Sequence, residues 1–543
     1  MKLVTVSEMR AIEQEADSSG LTFAQMMENA GSGLAEVVLD MTLEDDNKPS
    51  VVGLVGPGNN GGDTLVALSH LSTKGWRVHA YLITRSADKD PLVERVHQAG
   101  GEIISASLDK NHELLKAFIG SATVVMDGIL GTGFKLPLKR EIADVMNEVN
   151  NAIGRMDWPP FVVAVDCPSG VDCDTGKVAD EAIPASITMT MAAVKEGLVK
   201  FPAFELVGDL QVVDIGLTGE ISSWKNIQDD VADDSIVAEI LPDRPDDSHK
   251  GTFGTAVIAA GSINYTGAAM LAGKSAYKIG AGLVKMAVPG PLHQTLAGQF
   301  PEATWVLLPH EMGVISGEAA DVLLKNLDRA TALLVGPGIG SEETTKTFIE
   351  NLIKGRPAAK KSAARIGFVH DEKGPEEEKI NALPPMVVDA DGLRLLKKIE
   401  GWEKLLPSMT ILTPHPGEMA ELTGLAVEQI QEDRLGIAKS FAKRWGHVVV
   451  LKGAFSVIAA PDGRSSTIPV ATSALAKAGT GDVLAGIIVG LLAQGVEPYA
   501  AAVAGTWIHA QAGLLALDQR GSSASVLASD VVESIGDVLF SLE

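Results

Sequence analysis

The stretch 51–63, VVGLVGPGNNGGD, decides the fold. Val51–Val55 is an apolar run of strand length, the following Gly-Pro-Gly breaks it, and a helical pattern then runs to about Gly75. Strand, glycine turn and helix in that order make a βα unit, and the unit recurs. Short β-branched runs at Val78–Ile83, Thr123–Met126, Phe161–Val165, Ile187–Met191 and Leu210–Asp214 alternate with helical segments, which predicts a mainly parallel sheet. Upstream, Thr22 and Gln25 read as a capping box. Phe23, Met26, Met27, Ala30, Leu34, Val37, Val38 and Met41 then share one helix face.

A second βα series begins after His249, with runs at Ala256–Ala259, Leu283–Val288, Ala332–Val335, Met386–Val388, Met409–Leu412 and Val448–Leu451. Pro461 to Gly463 reads as a hairpin turn between Val457–Ala460 and Ser466–Val470. The polar, proline-bearing segment Thr218–Ser248 separates the two series, and Lys360–Glu378, dense in charge, reads as an exposed insertion. Two different α/β domains are expected, each long enough to bury a core.

Composition narrows the function. With 45 basic and 70 acidic side chains among 543 residues, the net charge is −25, which argues against nucleic acid or an anionic membrane as partner. A hydrophobic share of 46% excludes a disordered chain, and the 56 glycines suit an enzyme built on glycine loops. Cys167 and Cys173 are too few for a disulfide framework and read as packing residues in a reducing compartment. The apolar segments Val483–Ala493 and Tyr499–Leu517 read as buried helices, and the N-terminus lacks the apolar region of a secretory signal. A cytoplasmic protein is expected.

Ligands of open parallel sheets bind beyond the carboxyl ends of the strands. Four loops of the first half fall there: Asn59 to Asp63, Asp127 to Gly133, Asp166 to Asp172, and the segment holding Lys195. The side-chain oxygens of Asn60, Asp127 and Ser169 are the hard donors a monovalent or divalent cation selects. In the second half, Gly479, Thr480 and Gly481 open an apolar helix and form a nest for a phosphoryl oxygen, with Asp482 placed to accept a hydroxyl proton. Lys452, the pair His415 and Glu418, and the Gly336–Gly340 loop follow other strands.

On the MENAG motif at 27–31, PGNNGGD at 57–63, Asp127 with GTG, the 166–176 block and the Lys195 segment, residues 1–216 resemble the NAD(P)H-hydrate epimerase domain. Residues 226–543 resemble the ADP-dependent NAD(P)H-hydrate dehydratases of the ribokinase-like superfamily. That likeness rests on 248–254, AGS at 260–262, Gly336–Gly340, Val388–Gly392, Thr413–Glu418, the Lys452 loop and GTGD at 479–482. The resemblance implies a Rossmann-like three-layer αβα domain (1–217), a linker (218–225) and a ribokinase-like α/β domain (226–543). Carried over, Asn60, Asp127 and Ser169 would bind K⁺. Asn59, Asn60, Gly61, Gly62 and Asp63 would hold the hydrated dinucleotide with Gly131, Thr132, Gly133, Phe134, Lys135, Leu136 and Pro137, and Asp166 would sit at the nicotinamide. Lys195 is a candidate catalytic partner of Asp166. In the second domain Ala256, Gly338, His415 and Asp482 would contact the hydrate. Lys452, Gly453, Ala454, Phe455, Ser456 and Gly481 would hold ADP, with Mg²⁺. The expected activity is repair of NADHX and NADPHX: epimerisation of the C6 hydroxyl, then ADP-dependent dehydration of the S epimer, by a homo-oligomer. The alternative is a ribokinase-like small-molecule kinase fused to a nucleotide-binding domain. Thr64 stands where the epimerase pattern leads one to expect glycine.

Overall fold

A computed structural model describes residues 1–40, 49–355 and 383–543; Met41 and the Lys360–Glu378 insertion lie outside the described residues. The chain forms two compact units, Met1–Val231 and Ala232–Glu543.

In the first unit, β1 (Leu3–Val4) and β8 (Val194–Lys195) form a small parallel pair. The main sheet contains β2 (Ser50–Val55), β3 (Arg77–Leu82), β4 (Glu102–Ser105), β5 (Val124–Gly128), β6 (Phe161–Val165), β7 (Ile187–Met191) and β9 (Asp209–Val213). Its order is β4-β3-β2-β5-β6-β7-β9, parallel throughout. The two-residue period of β2 sends Val51 and Val55 into one core and Val52 and Leu54 into the other. Helices Val6–Ser18, Phe23–Asp40 and Asn59–Thr73 cover the first face; Glu113–Ile119 and Arg140–Ile153 cover the second. Each wholly buried Val or Leu in these layers contributes about 1.5–3 kcal/mol. Strand β4 escaped the sequence reading because it is a half-exposed edge without a buried apolar run.

The expected linker 218–225 is docked, not free. Ile221 is buried in the first core, and the Glu15 carboxylate accepts hydrogen bonds from Ser222 N (2.9 Å) and Ser223 N (2.9 Å) at the helix Ser222–Lys225. The unit ends only at β10 (Asp229–Val231), where the Met1 amine donates to Val231 O at 2.9 Å. At Phe23–Asp40 the capping box is half made: Gln25 N donates to Thr22 Oγ1, while the Gln25 side chain turns forward to Asn29.

The second unit contains β11 (Thr255–Ala259), β12 (Leu283–Pro289), β13 (Thr304–Leu308), a hairpin of β14 (His310–Glu311) and β15 (Val314–Ile315), then β16 (Ala332–Val335), β17 (Met386–Val388), β18 (Ile411–Leu412), β19 (Val448–Leu451), β20 (Val457–Ala459) and β21 (Ser465–Thr467). The sheet runs β21-β20-β19-β18-β17-β16-β11-β12-β13, antiparallel only at β19-β20-β21, where the Pro461 turn makes its hairpin. Thr480–Ala493 is buried along nearly its whole length. Its Gly486 is required by contact: a Cβ there would lie 2.3 Å from Ala272 O of the neighbouring helix Thr266–Lys278. Pro498–Arg520 is the one helix among the described residues long and apolar enough to cross a membrane, yet 72% of its apolar window is buried within the fold. It packs against Thr480–Ala493 and Ala528–Phe540 as a core helix.

Candidate active sites

In the first unit, β2 pairs with β3 on one side and β5 on the other, so the chain winds outward in opposite directions from this point. That switch point opens a crevice at the strand ends, and the helix Asn59–Thr73 begins in it. Gly58 at its N-cap supplies no side-chain acceptor, which leaves the first N–H groups for a ligand. Thr64 fits in place of glycine because Gly128 faces it: Thr64 Oγ1 donates to Asn60 O at 2.7 Å, and a Cβ on Gly128 would lie 1.9 Å from Thr64 Oγ1.

Asn60, Asp127 and Ser169 meet around Leu130. Asp127 accepts from Ser169 N at 2.8 Å and Ser169 Oγ at 2.5 Å; Leu130 N donates to Ser169 Oγ at 2.9 Å; Asn60 Nδ2 reaches Val165 O at 2.6 Å and Leu130 O at 3.4 Å. Burial pushes the Asp127 carboxyl up to about 6, against the hydrogen bonds from Ser169 and Ile129. The Gly131–Pro137 loop begins beside this group, with Gly131 against the Asn60 side chain, and runs along the surface.

Asp166 follows β6 directly, with φ 65°, a left-handed conformation that costs a non-glycine residue on the order of 1–3 kcal/mol. Its Oδ1 is held by Lys195 Nζ, Thr190 Oγ1 (3.2 Å) and Met191 N (3.0 Å); Lys195, 1% exposed, also donates to Thr190 Oγ1 and Met191 O, both at 3.0 Å. The expected partnership of Asp166 and Lys195 is therefore a buried ion pair. A cavity of about 520 Å³ lies nearby, lined by Asn59, Asp63, Met191 and the apolar Phe23, Met26 and Met27. Glu13, from Val6–Ser18, also lines it, and the sequence reading missed that residue. Cys167 and Cys173 are buried free thiols.

In the second unit, Gly479 takes φ 93° at the N-cap of Thr480–Ala493, without a side-chain cap; the Thr480 N–H bonds Lys477 O, and the next N–H groups, of Gly481 and Asp482, face the position of an anion. Asp482 lies in that turn. Burial pushes its carboxyl up to about 7, with repulsion from Asp389 and Asp391 working against the attraction of Lys452. Lys452 Nζ bonds Asp389 Oδ1 at 2.7 Å and lies 3.8 Å from Glu418 Oε2; burial opposes its charge, but these carboxylates and Asp482 hold it above the ordinary lysine value. Thr413 Oγ1 also donates to Asp389 Oδ1 (2.7 Å), and Gly340 N donates to Asp391 Oδ2 (2.9 Å). His415 caps its helix through Nδ1, accepting from Gly417 N and Glu418 N.

A cavity of about 360 Å³ brings together His415, Lys452, Gly453, Ala454, Ser456 and Gly481. Gly338 stands apart from it, at φ 63° beside Tyr265. Two expected contacts change. Phe455 is buried and, unlike its loop neighbours, is not among the residues lining the cavity; its N–H bonds Val470 O. Ala256 is wholly buried at the middle of the sheet, paired to β12 and β16, with its side chain in the core, and is not among the residues lining the cavity. Asp389, Asp391 and His509 were not singled out from sequence. Burial pulls the His509 ring down to about 4, and among the described residues its Nε2 has no hydrogen-bond partner.

Comparison with known proteins agrees with this two-site arrangement. The family profile of the YjeF-related protein N-terminus matches residues 23–197, and that of NAD(P)H-hydrate dehydratase matches 256–358 and 367–536. The bifunctional NAD(P)H-hydrate repair enzyme Nnr of Moorella thermoacetica is 35% identical over 553 aligned positions, covering 100% of this chain and 97% of that one. Its Escherichia coli counterpart is 31% identical, covering 97% and 91%. A Bacillus subtilis ADP/ATP-dependent NAD(P)H-hydrate dehydratase, co-crystallised with ATP/Mg²⁺, is 29% identical; it covers 58% of this chain and 99% of its own, with a TM-score of 0.46. With both profiles matched and relatives aligned along the whole chain, this protein belongs to the bifunctional NAD(P)H-hydrate repair enzymes.

Proposed function

We propose that the first unit interconverts the R and S epimers of hydrated NADH and NADPH. The second unit then dehydrates the S epimer at the expense of ADP, yielding AMP and phosphate. The observation that carries this reading is Asp482, a carboxylate near neutral in affinity for protons, in the first turn of an uncapped helix beside Lys452. Asp482 takes the C6 hydroxyl proton as that oxygen bonds to the terminal phosphorus of ADP and the bond to AMP breaks. The first-turn N–H groups and Lys452 receive the charge that develops on the phosphoryl oxygens. Phosphate, unlike hydroxide, then leaves C6 as the N1 lone pair forms N1=C6; loss of a C5 proton gives C5=C6 and restores the dihydropyridine.

The metals implied fit the residues. Beside Lys452 the carboxylates of Asp389 and Glu418 are hard oxygen donors; among the described residues no group of three such side chains is placed to cage a metal by itself, so Mg²⁺ would be held there mainly by the nucleotide phosphates. Bound there, Mg²⁺ would neutralise phosphate charge. In the first unit, Asp127 is buried with only neutral donors, and K⁺ held by Asn60, Asp127 and Ser169 would restore its ionised form. A cytoplasmic setting suits the two buried free thiols, and we expect a homo-oligomer in solution. The test is direct: mixed hydrate epimers with ADP, Mg²⁺ and K⁺ regain the absorbance of reduced nicotinamide and consume both epimers. A stable phosphorylated product would instead mark a kinase.

A further inference from the structure

Two carboxylates of the first unit have no catalytic part in the reading above; the family resemblance implies only that Asp63 helps hold the dinucleotide. Glu13 comes from Val6–Ser18 and Asp63 from near the start of Asn59–Thr73, just past its first turn, and both line the 520 Å³ cavity. Asp63 is 7% exposed. Among the described residues, no hydrogen bond or ion pair engages either carboxylate. Asp166 is the contrast, with Oδ1 fastened by three donors. Met191, whose N–H is one of those donors, lines the same cavity. A buried carboxylate left without partners is costly unless it is protonated or meets a ligand.

Inversion at C6 creates a need that one acid–base pair does not meet. The oxygen must leave from one face of the ring and return to the other, so proton transfer is required on two sides. We propose that Asp63 and Glu13 are catalytic residues of this epimerisation, Asp63 exchanging a proton with the C6 oxygen across the ring from Asp166 and Glu13 relaying protons between them. The inference rests on the epimerase reading given above. In one direction Asp63 gives its proton to the hydroxyl, the C6–O bond breaks with its electron pair on the departing water, and the N1 lone pair forms N1=C6. Water then bonds to C6 from the other face, that π pair returns to N1, and Asp166 accepts the water proton. Transfer of this proton through Glu13 back to Asp63 resets the site; the reverse epimerisation runs the same steps backward.

The charges acting on these groups agree. Asp63 is raised well above the usual carboxylate range by burial and by Asp166 and Glu13, with Lys195 opposing. Glu13 is raised by burial, with Lys195 and Arg10 lowering and Asp166 raising it. From the helix Phe23–Asp40 packed alongside, Glu28 is engaged by Arg95 and His70, and Arg85 is spent on Asp90 and the carbonyls of Gly56 and Gly58.

The experiment follows conversion of the pure R epimer to S by the full chain without ADP, so that no product is consumed. Asp63→Asn is expected to lower kcat by about 100-fold or more, the usual size of a lost proton-transfer group. KM should stay within about threefold, and the descending alkaline limb of the pH profile should disappear. Glu13→Gln should lower kcat about tenfold, with Glu13→Asp recovering part of the loss. Wild-type kcat and pH profile in both variants, or a change confined to KM, would overturn the assignment. If the wild-type chain itself leaves the R epimer untouched, the epimerase reading fails instead.

Discussion

Each unit sets a lysine against a carboxylate, Lys195 buried and Lys452 half-buried, and the two settings differ in their charge ratio. In the first, Lys195 meets Asp166, and Thr190 and Met191 N add donors to the same oxygen. In the second, Lys452 is tied to Asp389, while Glu418, Asp391 and Asp482 crowd the same region. A one-to-one pair holds its carboxylate in a fixed orientation. An outnumbered lysine leaves one carboxylate, Asp482, undercompensated and titrating near neutrality. The difference teaches how a base suited to pH 7 is made: burial raises the carboxyl first, and rationed positive charge lets neighbouring carboxylates add to that rise.

The largest expected effect removes that base. Asp482→Asn should cut ADP-dependent dehydration by about 10³-fold while ADP still binds, because the helix N–H groups and Lys452 remain. Steady-state rates and nucleotide binding measured on the same preparation check this. Near-normal turnover would break the comparison outright. The same substitution carries an opposite effect on stability. The folded Asp482 holds its proton up to about 7, above the ordinary carboxylate value, so its stabilising contribution is full below about 4 and fades as pH rises through 7. Asn should therefore raise the melting temperature at pH 8 and do little at pH 4, a trade of stability for activity.

Next in size is the one-to-one pair. Lys195→Met leaves Asp166 buried without its counter-charge, a change that typically costs about 3–5 kcal/mol. The first unit should melt earlier and epimerisation should collapse, while dehydration of pure S epimer persists. Unchanged epimerisation would show that Lys195 only fills space.

What could be read in advance follows from what is local. The βα alternation, the glycine turns and the Asp482 turn are short-range patterns, and the strands Ala332–Val335, Met386–Val388 and Val448–Leu451 appear where their apolar runs predict. Asp166 and Lys195 were legible because both follow strands of a single sheet. Asp389 likewise follows a strand and lies in the Val388–Gly392 motif, but its pairing with Lys452, 63 residues on, depends on strand order and was not legible. Glu13 sits on a helix that carries several other polar side chains, and nothing in its spacing marks it as different. Ala256 and Phe455 failed for a narrower reason: a motif locates a backbone segment, while the direction of each side chain depends on strand phase and loop conformation.

The smallest effect tests the cause rather than the consequence. Asp391 is one of the carboxylates raising Asp482, and its Oδ2 accepts a hydrogen bond from Gly340 N. Asp391→Asn keeps an acceptor for that bond and removes only the charge. If crowding by carboxylates raises Asp482, the acidic limb of the dehydration profile, where rate climbs as Asp482 loses its proton near 7, should move to lower pH by a few tenths of a unit. Plateau kcat should hold within about twofold, since no reacting group is lost. An unmoved limb would mean that burial alone sets the titration of Asp482, and the charge ratio between the two lysine sites would then be incidental.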